Sequence, residues 1–350
     1  MKLFLKKCLL FFLILGLIFV PPAMLFDPYN IFHWEHIRNN GVEPNKAYVK
    51  MKNVLKNPDR FDSFLFGSSR MGFFDVEKMD DGTYYDMAYS EGLPAEHLDN
   101  LKVMISRGII PKNVTIGLDD ISYFVEPSMH KTQLFRSPYP WGRSLKEQGE
   151  FYLKYFDLIT IAQSAEVVFE HDDVDPGYGE RLLRTGTENL EIISEFNYED
   201  LDATWCDYYE PREKVLDEIR ELKALCGEYG INLRFFTNPI NGYTYAKDIA
   251  NGYLVFLEEL SEVTDYYNFS GFNDITLNNA LYYETSHFTP EVADMVIDRI
   301  YHDREDGRLL SQGFGYYVTH DNVGDLLDIL KAQAVNFDLP VNTYPDVTSP

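Results

Sequence analysis

Two short segments hold the side chains for nucleophilic chemistry. The first is Gly67-Ser68-Ser69-Arg70, directly behind the apolar run Phe64-Leu65-Phe66. A serine at a strand-to-helix turn has its hydroxyl at the sheet edge. The N–H groups of the following helix start there too, where a developing oxyanion needs donors. The glycine lets the backbone turn tightly. Alone, the tetrapeptide reads more readily as a helix N-cap.

The second segment is Glu284-Thr285-Ser286-His287-Phe288. A serine hydroxyl needs a base, and an imidazole base needs a carboxylate to orient it. A carboxylate three residues before a histidine in one loop can reach Nδ1 and leave Nε2 for the serine. Of the eight histidines, only His287 stands in a C-terminal βα loop with this acid partner. Together the segments predict Ser69 as nucleophile, His287 as base and Glu284 as acid.

Four further residues at the turn and strand ends are candidates beside these. Arg70 can take a carboxylate of an acyl group or a sugar, or brace Asp119 or Asp120. Asn238, at the end of a later strand, is an amide donor. Asp119 and Asp120 close the strand Val114–Leu118, and N-capping or sheet-edge solvation is an equal reading of them. The run His171-Asp172-Asp173-Val174-Asp175-Pro176-Gly177 invites a calcium site. An EF-hand loop requires a glutamate at its twelfth position, and that frame fails here. The run reads as a solvated acidic loop, and no metal or cofactor is expected.

The elements that must position these groups alternate. Short strands are expected at 64–66, 84–87, 114–118, 231–236 and 263–267. Helices are expected at 95–107, 211–229 and 245–260, with a last one starting at Thr289-Pro290, a hydroxyl N-cap with proline at N1. Strands separated by helices imply right-handed crossovers and a parallel sheet, with the site at the C-terminal strand ends. Residues 121–210 interrupt this alternation and read as a mostly helical insertion capping the site. The rest divides into a connector at 27–60, the main domain at 61–303 and a tail at 304–350, with an amphipathic helix near Val323 to Ala332.

The N-terminus sets the compartment. Lys2, Lys6 and Lys7 precede Cys8 to Val20, which holds no polar side chain apart from the thiol. The apolar run resumes after Pro21 and Pro22 through Phe26. A bilayer core takes about 20 apolar helical residues. The lysines are expected to stay cytoplasmic, which exports everything after residue 27. No A-x-A site is evident, so residues 1–26 read as an uncleaved transmembrane signal anchor rather than a cleaved leader.

Composition narrows the partners. Of the 350 residues 45% are hydrophobic and 25% charged, the balance of a globular chain. Acidic residues outnumber basic ones 56 to 31 and the net charge is −25, so a nucleic-acid partner is not expected. Cys8, Cys206 and Cys226 lack metal-site spacing. Cys206 and Cys226 can pair if exported, but two buried thiols are the preferred reading, with Cys226 on the apolar face of a helix.

The serine motif, the acid-x-x-His and the five-stranded α/β layout resemble the SGNH (GDSL-type) hydrolases over about residues 60–302. The resemblance is closer to their membrane-tethered exported branch, which acts in exopolysaccharide O-acetylation and teichoic acid D-alanylation. It implies an SGNH-like, flavodoxin-type three-layer fold, and Ser69, His287 and Glu284 as the triad. The usual family acid is aspartate, so Glu284 departs from the pattern. It also implies an oxyanion hole made by the serine N–H, a glycine after the second strand and an asparagine in a Gly-x-Asn-Asp block. Gly92 matches the glycine. Gly117-Leu118-Asp119-Asp120 matches the block, with Asp119 in place of the asparagine. A carboxylate donates only when protonated. Either Asp119 has another role, such as holding Arg70, or backbone groups hold the oxyanion alone, with Asn238 as a substitute donor. The function implied is an esterase or O-acyltransferase working on an envelope or secreted polysaccharide beside a multi-pass membrane O-acyltransferase. The alternative is an inactive polysaccharide-binding or assembly accessory.

Overall fold

A computed structural model describes residues 2–38, 40–118, 130, 132–169, 177–188 and 212–337. The chain forms two compact units, Met1–Lys56 with His130–Arg184, and Asn57–Met129 with Thr185–Pro350. Of the segment 121–210 expected as an insertion, residues 130–184 group with the N-terminal helix and most of the connector.

In chain order the elements begin with α1 (Lys2–Phe26), α2 (Lys46–Lys56), β1 (Ser63–Phe66), β2 (Tyr84–Asp86), α3 (Pro94–Ser106) and β3 (Asn113–Leu118). There follow α4 (Leu145–Leu153), α5 (Leu158–Phe169), α6 (Tyr178–Arg184), α7 (Arg212–Tyr229) and β4 (Asn232–Thr237). The chain continues with α8 (Gly242–Ala250), α9 (Tyr253–Val263), β5 (Tyr266–Asn268) and α10 (Pro290–Tyr301). It ends with α11 (Gly307–Leu310), β6 (Tyr316–Val318) and α12 (Val323–Val335).

The larger unit is an α/β sheet of six strands in the order β2-β1-β3-β4-β5-β6. The first five pair in parallel, and β6 pairs antiparallel with β5. The order 2-1-3-4-5 reverses direction between β1 and β3, the switch point where doubly wound sheets hold ligands. The sixth strand was not expected. It comes from the tail and pairs antiparallel with β5, outside the alternating parallel pattern. The helix expected at 245–260 is two helices, separated at Gly252, whose φ of 87° interrupts the helical path.

β1 and β3 are buried along their whole length, as central parallel strands must be. α10 lays Val292, Val296, Ile297 and Ile300 into a core shared with Leu65, Met71, Phe74, Phe236 and Phe288. This packing joins the strand before Ser69 to the helix after His287. Thr289 starts α10 with Pro290 at N1, yet its hydroxyl makes no cap bond.

The smaller unit has a core of its own, rich in aromatics. Tyr29, Tyr48, Phe151 and Tyr155 are buried with Ile31, Ile37, Val49 and Leu182. The Asp27 carboxylate follows α1 and accepts from the N–H groups of Ile31, Phe32 and His33. α1 stays helical through Pro21 and Pro22, and it is long and apolar enough to cross a membrane.

Candidate active site

β1 delivers the chain to Gly67, and a five-residue 3₁₀ helix, Ser69–Phe73, follows at once. The expected α-helix is absent here, so no long helix dipole backs Ser69. Ser68 caps the turn, its hydroxyl accepting from the Arg70 N–H at 3.4 Å. The glycines on either side are demanded by packing. A Cβ on Gly67 (φ 155°) would lie 2.5 Å from Met71 Cγ, and one on Gly117 in β3 would lie 2.6 Å from Met71 Sδ. Met71 thus occupies the space of two missing side chains and pins the turn to the sheet. Gly117 entered the sequence reading only as part of a matched block, and nothing in the sequence points to this role.

His287 is presented by a tight loop. The Tyr283 N–H donates to the His287 carbonyl at 2.9 Å, and Thr289 N–H to the Leu281 carbonyl at 2.9 Å. Tyr282 and Phe288 form an antiparallel bridge. The Tyr282 hydroxyl donates to the Pro239 carbonyl at 2.8 Å, tethering the loop to the end of β4. Inside this hairpin Glu284 folds back. One carboxylate oxygen accepts from the Ser286 N–H at 2.8 Å, the other from the His287 N–H at 2.8 Å and from His287 Nδ1.

The two segments meet. Ser69 Oγ lies 2.8 Å from His287 Nε2, across 218 positions of sequence. The carboxylate on Nδ1 can only accept, so Nδ1 carries the proton and Nε2 is left to accept from the serine hydroxyl. Burial raises the Glu284 carboxyl. The hydrogen bond and charge of His287 and the two N–H donors outweigh burial, and the group is held below the ordinary glutamate range. Phe73 meets the His287 ring edge-on at 5.8 Å and packs on Tyr283 at 5.1 Å. This aromatic face limits the imidazole's rotation on one side.

Arg70 links the two segments. Its side chain is buried, with 2% exposure, and Nε donates to the Ser286 carbonyl at 2.7 Å. It is a strut between the serine turn and the histidine loop. Asn238 is likewise fully buried, and its N–H donates to the Leu118 carbonyl where β3 ends. Its place at the end of β4 is the one the sequence pattern implied.

Gly92 approaches the serine turn as the sequence pattern implied. A Cβ there would stand 2.4 Å from the Gly67 carbonyl oxygen. Its own N–H, however, donates to the Tyr89 carbonyl at 3.1 Å, so its clear contribution is the missing side chain. Among the described residues nothing accepts from the Ser69 N–H, which remains the available backbone donor beside Oγ. Asp119 and Asp120, Cys206 and the acidic run from His171 to Pro176 lie outside the described residues. Cys226 is buried on α7, and burial pushes its thiol up to about 12. Among the described residues no group of three or more His, Cys, Asp or Glu side chains converges as a metal site.

No family model matches the chain, and no curated protein matches it.

Proposed function

We propose that the chain is a membrane-anchored, exported serine esterase or O-acyltransferase of the SGNH type, working on an envelope or secreted polysaccharide. One observation carries the reading: Ser69 Oγ stands 2.8 Å from His287 Nε2 while Glu284 holds Nδ1. The strand order 2-1-3-4-5 and the position of Ser69 behind β1 at the switch point support the family assignment.

Ser69 Oγ attacks the acyl carbonyl as its proton passes to His287 Nε2. Glu284 stabilises the imidazolium that forms and keeps the ring oriented. The Ser69 N–H stabilises the oxyanion. The tetrahedral intermediate collapses, the leaving alcohol takes the proton from Nε2, and Ser69 keeps the acyl group as an ester. An acceptor then loses its proton to Nε2 and attacks that ester, releasing Ser69. Water as acceptor gives hydrolysis, and a sugar hydroxyl gives transfer. The lysines at the start of α1 orient it with the sheet unit outside. A multi-pass membrane O-acyltransferase as acyl supplier follows from family analogy.

The test is turnover of p-nitrophenyl acetate by the full chain in detergent, with and without an oligosaccharide acceptor. Ser69→Ala and His287→Ala are each expected to lower kcat by about a thousandfold or more. Wild-type turnover no faster than that of Ser69→Ala would remove the catalytic reading. A second reading, an inactive glycan-binding accessory, is favoured by the commitment of the Gly92 N–H to Tyr89. It predicts polysaccharide binding that Ser69→Ala leaves unchanged, with no turnover.

A further inference from the structure

α5 is built inside out. Among its described side chains the buried ones are the small polar Thr160 and Ser164, and Ser164 Oγ returns its hydrogen bond to the Thr160 carbonyl at 2.7 Å. Among the described side chains of this helix the exposed ones, Leu158, Ile159, Ala162 and Ala165, are all apolar. Leu158 is 74% exposed and Ile159 61%, and Leu153 in the preceding turn is 67% exposed. A helix on a water-soluble surface shows the opposite pattern.

α5 also has an unusual neighbour. The elements that pack on α1 are α5 and the turn 154–156. The covered side of α1 is a stripe of Leu15, Gly16, Phe19, Val20 and Ala23, while Leu9 to Leu13, Leu17, Ile18 and Leu25 are bare. At 1.5 Å per residue, that stripe lies about 5 to 16 Å inside the C-terminal end of α1. A bilayer core is about 30 Å thick. Any element packed on that stripe sits at hydrocarbon depth once α1 spans the membrane.

We propose that the tip of the smaller unit, residues 153–165, is immersed in the bilayer beside α1, with Leu153, Leu158, Ile159, Ala162 and Ala165 toward the acyl chains. The occupant of this apolar face is lipid, because α5 packs on α1 within the depth of the hydrocarbon core. The single charge of α5, Glu166, comes after this segment, and the acidic run follows it. The proposal rests on α1 spanning the membrane and is independent of the chemistry at Ser69. It also gives α1 a fixed partner in the folded protein, a role that a removed leader does not have.

The test is site-directed fluorescence on the full chain with Cys8→Ser and Cys206→Ser, reconstituted into phosphatidylcholine vesicles. An environment-sensitive nitrobenzoxadiazole label is attached at Ile159→Cys, at Leu13→Cys in α1, or at Lys146→Cys, which is exposed on α4. Circular dichroism identical to the unlabelled chain qualifies each sample. The expected result is blue-shifted emission, quenched by acyl-chain nitroxide lipids, at 159 and at 13 but not at 146. Quenching at 13 with water-like emission at 159 would overturn the proposal while leaving α1 as a span. Water-like emission at both positions would overturn both.

Discussion

Glu284 is the residue whose environment makes the most specific demand. Its carboxyl is held below the ordinary glutamate value of 4.5 by His287 and two backbone N–H groups. The folded value is depressed, so its contribution to stability is complete above the unfolded value and is lost as pH falls through the folded one. Thermal unfolding of the wild type is expected to drop across that acidic window, and Glu284→Gln is expected to flatten the drop. Equal slopes in the two proteins would mean that the carboxylate is not engaged. Arg70 makes a different demand. With Arg70→Met the Ser286 carbonyl loses its buried partner, at a stability cost of about 1–3 kcal/mol. The serine and imidazole lose their mutual alignment, so kcat should fall by about tenfold to a hundredfold while KM changes little. A rise in KM at constant kcat would instead return Arg70 to the substrate. At this scale the triad was legible because its spacing is chemical: a carboxylate three positions before a histidine, and a serine behind an apolar run. The roles of Arg70 and Asn238 were not. Burial decides them, and burial at a strand end depends on which loops close over it.

At the scale of elements, the site is two turns held against each other. Gly92→Ala tests the closeness of that packing, since the new Cβ would stand 2.4 Å from the Gly67 carbonyl. Relief requires a backbone shift at the serine turn, and the expected cost is about 1–3 kcal/mol together with loss of turnover. An unchanged melting temperature would show that the turn is free to move. The strands and long helices could be read from apolar runs and 3.6-residue spacing, and α3, α7 and α10 lie within a residue or two of where those patterns end. The 3₁₀ turn after Ser69 and the three-residue β6 could not. Each is stabilised by packing against residues distant in sequence. The hairpin that folds Glu284 onto His287 escaped for the same reason, its bonds being made by backbone groups that carry no sequence signal.

For the whole molecule, the parallel sheet followed from alternation of short strands and helices, and its order puts the ends of β1 and β3 at the switch point. The grouping of residues 130–184 with the N-terminal helix was not legible, because a contact unit assembled from two distant segments has no local pattern. Retention of α1 is expected in the mature protein. Peptide analysis of the membrane-extracted chain should recover residues 1–26, and the chain should resist an alkaline carbonate wash. A soluble product lacking residues 1–26 would contradict the anchor.

The central claim is that the Ser69 hydroxyl is made nucleophilic by the imidazole beside it. Intact-mass and peptide analysis after treatment with a fluorophosphonate reads this directly. The account predicts one phosphonyl adduct on Ser69, abolished in Ser69→Ala and strongly slowed in His287→Ala. Wild-type protein that takes up no adduct, or takes it up at the same rate without His287, would contradict it.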